Sequence, residues 1–301
     1  MENSILSQKS IFAPLTINKE DFFNLVDIRE PYFALKEIFV DDKNFASAQV
    51  PMEQPLGSEI MPISTGEATR HLAVLGMISC AYANPIKKKH YYLPHVINFK
   101  RVAGEHNINK TNYLVGNSIC TSFDKRKAIA KTQLSDNKNN IICEAEIHYH
   151  IMPYSIFDKL FIPHHANSPD YSIGNPYKIK NELFDIKLST TNLTASLGKL
   201  PQYYCSGHFP NYPAMPLAIL TYNLIDLAGL FIYHSTRDYR LRFMVKEYTL
   251  SADTLAFAGD KVDLEIKHMR SFDNLFILSC KATANGGKNV ADLEVTIEGV
   301  K

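Results

Sequence analysis

A Met-Pro pair stands twice before a long apolar run, and this repetition constrains the chain more than any other feature. Met61-Pro62 opens one run, to about Ala83; Met215-Pro216 opens another, to about His234, roughly half of the 301 residues further on. The second run carries Leu217, Ile219, Leu220, Leu224, Ile225, Leu227, Leu230 and Phe231, so it is apolar almost all round. Such a helix needs protein on most of its sides. Each run is followed by segments rich in β-branched and aromatic residues, many of them alternating polar and apolar. In the first half they are Tyr91 to Val102, Tyr113 to Phe123, Ala128 to Leu134 and Ile141 to Met152. In the second they are Tyr239 to Leu250, Lys261 to His268, Phe276 to Ala284 and Val290 to Glu298. Asn285-Gly286-Gly287-Lys288 is a hairpin turn signal, and Ser135 to Asn140 plays the same part in the first half. An antiparallel sheet curled around one buried helix satisfies both elements. The expected class is therefore α+β, with two tandem units: a first half over 1–162, a linker over 163–182 and a second half over 183–301. The linker is marked by its His, Asn, Ser, Pro, Asp and Gly content between Pro163 and Pro176.

Composition narrows the functional classes. The net charge is +1, which offers no drive toward nucleic acid or an anionic membrane. The run from Leu217 to Tyr233 is interrupted by Asn223 and Asp226 and is slightly short for a membrane span, so it reads as a core helix. Met1-Glu2-Asn3-Ser4 lacks the basic-then-apolar pattern of a signal peptide. The cysteines (Cys80, Cys120, Cys143, Cys205 and Cys280) are odd in number and widely spaced, as expected of reduced thiols in a cytoplasmic protein. His148 and His150 share a strand face and His164-His165 are adjacent, but no third ligand stands at a telling spacing, and no metal or cofactor is expected.

Ahead of the second helix stands His208-Phe209-Pro210-Asn211-Tyr212-Pro213-Ala214-Met215-Pro216. This loop resembles the signature of the hotdog-fold 3-hydroxyacyl-acyl carrier protein dehydratases, whose pattern runs His-Phe-Pro-x-x-Pro-x-Met-Pro-Gly. The match holds through Pro216 and departs at the final glycine, here Leu217. The resemblance implies two tandem hotdog folds paired as a hotdog dimer pairs. It also implies a catalytic histidine, His208, and a carboxylate from the other unit's central helix. The second helix has Tyr222 at the carboxylate position. The first half has Gln54 at the histidine position, but its helix carries Glu67, one residue short of the pattern's place, with His71 four residues later. His208 as base and Glu67 as acid would then make one composite site, and the mirror site around Gln54 and Tyr222 would be dead.

Dehydration of a 3-hydroxyacyl thioester needs one group to take a proton and another to give one. A neutral imidazole suits the first role, and a desolvated carboxylic acid the second. The resemblance further implies that the amide of Leu217 meets the thioester carbonyl, with Phe209, Met215, Pro216, His71 and Tyr222 as the other substrate-binding residues. The expected substrates are thioesters of acyl carrier protein or coenzyme A, in fatty-acid or polyketide-type synthesis. The expected assembly is a monomeric pseudo-dimer or a homo-oligomer, without nucleic acid or membrane. Two other readings stand beside the dehydratase: a hotdog thioesterase working through Glu67, and a catalytically degenerate acyl-binding partner. Glu67 also completes a capping-box pattern with Ser64. Asp226 lies four residues after Tyr222 on the same helix face. Lys87-Lys88-Lys89 and Lys125-Arg126-Lys127 read as solvated loops or as a dock for an acidic carrier.

Overall fold

A computed structural model describes residues 15–102, 113–166, 174–238 and 240–300. The stretch Met1 to Ser4, the start of the expected strand at Tyr239 and the middle of the linker, 167–173, lie outside the described residues.

The elements follow in the order β1 (Leu15–Thr16), α1 (Lys19–Phe23), β2 (Lys36–Val40), β3 (Phe45–Val50), α2 (Thr65–Ala83), β4 (His90–Arg101), β5 (Leu114–Phe123), β6 (Lys127–Ser135) and β7 (Ile141–Pro153). Then come α3 (Tyr154–Phe161), β8 (Phe184–Leu188), β9 (Asn192–Lys199), α4 (Leu217–Thr236), β10 (Arg242–Ala252), β11 (Lys261–Phe272), β12 (Leu275–Ala284) and β13 (Lys288–Val300). Among the described residues, the thirteen strands form one antiparallel sheet in the order β1-β2-β3-β5-β6-β7-β4-β10-β13-β12-β11-β9-β8. The order β3-β5-β6-β7-β4 is repeated as β9-β11-β12-β13-β10, so the molecule is a double hotdog: two curled sheets, each wrapped on one helix.

The halves join where β4 pairs with β10, with Tyr248 opposite Phe99 and their rings stacked at 5.0 Å. Residues Thr65 to Ala81 of α2 are all buried, and most of α4 is buried, as expected of helices enclosed by sheet. By length and hydropathy α4 could cross a membrane; here it is the core helix of the second half. Two close approaches fix the helices. A Cβ on Gly66 would stand 2.5 Å from the Tyr222 Cβ, so the helices cross there. A Cβ on Gly76 would stand 2.4 Å from the Tyr149 hydroxyl, which instead donates to the Ala73 carbonyl at 2.7 Å.

The helices begin later than the Met-Pro pairs. Ser64 caps α2, accepting from the Glu67 amide at 3.1 Å, and Pro216 occupies the cap position of α4. Met61 therefore stands three residues before its cap and Met215 only one. Ahead of the expected linker at 163, α3 folds back so that Phe157 stacks on Tyr91 at 3.6 Å.

Candidate active site

The loop before α4 holds His208 by backbone bonds. The His208 amide donates to Cys205 O at 2.8 Å, and the Ala214 amide donates to His208 O at 3.0 Å. Gly207 has φ +82°, and a Cβ there would stand 2.2 Å from Arg29 O; its own carbonyl accepts from the Arg29 amide at 2.8 Å. A side chain at this position would push the loop off the Arg29 segment. The imidazole lies between Phe209, stacked at 4.0 Å, and Tyr32, edge-on at 4.7 Å, and is 6% exposed. Its Nδ1 is 2.9 Å from the Ala214 carbonyl, which only accepts, so Nδ1 carries the proton and Nε2 the lone pair. Burial pulls its pKa down to about 4, against the Ala214 bond and the Asp27 charge, which pull upward.

His208 lines a cavity of 630 Å³ together with Met215, Leu217 and Ala218. Leu217 and Ala218 are the first two residues of α4, and Pro216 supplies no side-chain cap. Their amides have no partner within the helix, and the positive end of the helix dipole stands there. From the opposite half, Thr69, Ala73 and Met77 of α2 form a wall. The Thr69 hydroxyl donates to Thr65 O at 2.7 Å and is 2.6 Å from the Tyr248 hydroxyl, which therefore donates to it. Ile156 and Phe161 of α3 close another side. The lining is mostly apolar.

Glu67 does not line this cavity. It is 1% exposed, and its carboxylate accepts from the amides of Glu53 at 2.7 Å and Gln54 at 3.0 Å. Arg70 Nη2 stands 4.0 Å and His71 Nε2 3.5 Å from its Oε1, and Arg70 pairs with Glu53 at 2.6 Å. Ser64 caps the helix, but Glu67 reaches the preceding loop and not the Ser64 amide, so the reciprocal capping box is half formed. Counting from the caps explains the misplacement. Tyr222 is the sixth residue of α4, whereas Glu67 is the third of α2 and stands almost a full turn too early. Thr69, fifth in α2, faces the cavity. Tyr222 packs on Gly66, and its hydroxyl donates to Pro55 O at 3.3 Å. Asp226 pairs with Lys180 at 2.7 Å. Neither Tyr222 nor Asp226 lines the cavity.

Sequence reasoning missed Thr69, Tyr32 and Tyr248. None of the three had a local signal: registering the two helices on their caps pairs Tyr222 with Arg70 and not with Thr69, and Tyr32 and Tyr248 arrive from distant segments. Glu59 was also missed. It accepts from the Thr65 amide at 3.0 Å and from the Thr65 hydroxyl, and burial raises its pKa to about 7. Among the described residues, no group of three His, Cys, Asp or Glu side chains is arranged to hold a metal ion.

No family model matches the chain. Solved hotdog structures match it over nearly its whole length. A hotdog-fold protein of Alicyclobacillus acidocaldarius shares 10% identity at a TM-score of 0.55, covering 89% of this chain and 96% of its own. An acyl-CoA thioesterase II of Mycobacterium marinum gives the same identity, TM-score and coverages. The 12:0-ACP thioesterase of Umbellularia californica shares 8% identity at 0.56, covering 90% and 100%. At these identities the likeness establishes the double-hotdog fold. The dehydratase expectation is corrected on two findings: the named enzymes among these structural relatives are thioesterases, and the acid it required, Glu67, is held away from His208's cavity. The resemblance of the loop holds at the level of the hotdog fold.

Proposed function

We propose that this chain hydrolyses acyl thioesters of coenzyme A or acyl carrier protein. The observation that carries the reading is the meeting of His208 and the uncapped start of α4 on one largely apolar cavity. The thioesterases sharing its fold support it. In this reading His208 is the general base. Nε2 takes a proton from water, and the hydroxide formed adds to the thioester carbonyl. Negative charge on the carbonyl oxygen is met by the amides of Leu217 and Ala218. When the carbon–sulfur bond breaks, the imidazolium returns its proton to the leaving thiolate. Asp27, buried and fixed by Lys89 at 2.9 Å and the Tyr91 hydroxyl at 2.7 Å, favours the transient imidazolium. Glu67 has no chemical part in this scheme; it holds the loop before α2.

Release of free thiol from a series of acyl-CoA substrates tests the reading. The wild type should liberate one thiol per acid formed, and His208→Asn should lose roughly 10²- to 10⁴-fold in kcat. Undiminished hydrolysis in that variant, or conversion with the thioester intact, would overturn it.

A further inference from the structure

The cavity that His208 lines also reaches a cationic rim. Lys125 and Arg126, both exposed at the β5–β6 turn, line it together with His95 of β4 and His150 of β7. The turn is built to stay in place. Asp124 Oδ1 accepts from the Arg126 amide at 2.6 Å and the Lys127 amide at 2.8 Å, and Arg126 O accepts from the Ile151 amide at 2.7 Å. Among the described residues, neither Lys125 nor Arg126 forms an ion pair within 4.0 Å. The two imidazoles stack at 3.7 Å, with His148 at 6.1 Å from His95. The buried Nδ1 of His95 has no hydrogen-bond partner. His95 is pulled down to about 4 by burial first, then by His150, His148 and Lys127, all positive when charged. The acidic groups nearby are engaged: Asp124 in its turn, Glu146 with His148 at 2.8 Å, and Asp253 on the rim with Asn289 at 2.7 Å.

This arrangement has a place in the proposed hydrolysis, on which the inference rests. A thioester carbonyl at the start of α4 is buried, while its carrier must remain outside. The arm joining them ends in a phosphate at its outer end. We propose that the rim binds the phosphate of a 4′-phosphopantetheine arm, with Lys125 and Arg126 as its charge partners and His95 and His150 as additional hydrogen-bond donors.

Calorimetric titration with 4′-phosphopantetheine and with unphosphorylated pantetheine tests this without any turnover. The phosphorylated arm should bind the wild-type chain about tenfold tighter or more, and the difference should vanish in Lys125→Ala/Arg126→Ala. Equal affinity of the two compounds for the wild type, or a difference that survives the double substitution, overturns the proposal. Because binding is read directly, a failure of thiol release with the phosphate preference intact sinks the hydrolase reading alone. Thiol release without that preference sinks the rim alone. Coenzyme A and a phosphopantetheinylated carrier protein, compared in the same titration, tell the source of the arm: the tighter of the two carries it, and both must weaken in the double variant for the proposal to stand.

Discussion

In the proposed hydrolysis His208 acts as a base only while it is neutral, and its burial keeps it so over most of the pH range. With the folded pKa near 4, the acid limb of kcat/KM should fall near pH 4 instead of near 6.5, as a pH–rate profile will show. The same shift acts on stability. From pH 6.5 down to about 4 the unfolded chain takes up this proton before the native one does, so stability falls as pH drops through that window, by up to about 3 kcal/mol. Glu59 works the other way. Its raised pKa means the native state keeps a proton that the unfolded chain has lost, so its contribution is full below pH 4.5 and is lost as pH rises to about 7. Urea denaturation across pH 4 to 8 should therefore tilt in opposite directions in His208→Asn and Glu59→Gln. Glu67→Gln should lower stability by about 1–3 kcal/mol, because one of two buried amides then faces an NH₂ group. In that variant kcat per folded molecule should fall far less than in His208→Asn.

At the scale of the element, the start of α4 can be tested by removing one atom group. Pro216 already holds the extended conformation that a following proline requires, at φ −63° and ψ 136°, and proline is favoured at the first helical position. Leu217→Pro should keep the helix, checked by circular dichroism, while deleting one carbonyl donor and costing about 10²-fold in kcat; Leu217→Val is its control. Gly76→Ala should destabilise α2 by about 1–3 kcal/mol in urea, since its methyl collides with the Tyr149 hydroxyl. The elements also show what could be read in advance. The strands were legible because alternation marks a half-buried sheet: β7, expected to Met152, runs Ile141–Pro153. The helices were legible from their apolar content, but their starts were not, because Met-Pro marks a loop at different distances from each cap. That error put Glu67, third in its helix, in the place of the sixth residue, Arg70. The helix α3 escaped because its eight residues, only Phe157 of them buried, continue directly from a strand.

Across the whole molecule the two halves behave as one body. The sheet runs unbroken through β4 and β10, and the cavity takes walls from both halves, with Thr69 and Tyr248 bonded across the seam. Calorimetric unfolding should give a single transition with equal calorimetric and van't Hoff enthalpies. Two resolved transitions would show the halves to be independent.

The two central helices begin differently: α2 is capped by Ser64 and receives Glu59 at its first amide, whereas α4 starts bare at Pro216. A missing cap forgoes about 1 kcal/mol of stability. Directed evolution for heat resistance alone would be drawn to Pro216→Ser or Pro216→Asp, and the survivors, tougher than their parent, would have filled the place that the proposed hydrolysis gives to the acyl carbonyl. Robustness and turnover thus compete for the same few atoms, and any breeding of this scaffold would have to select for both at once.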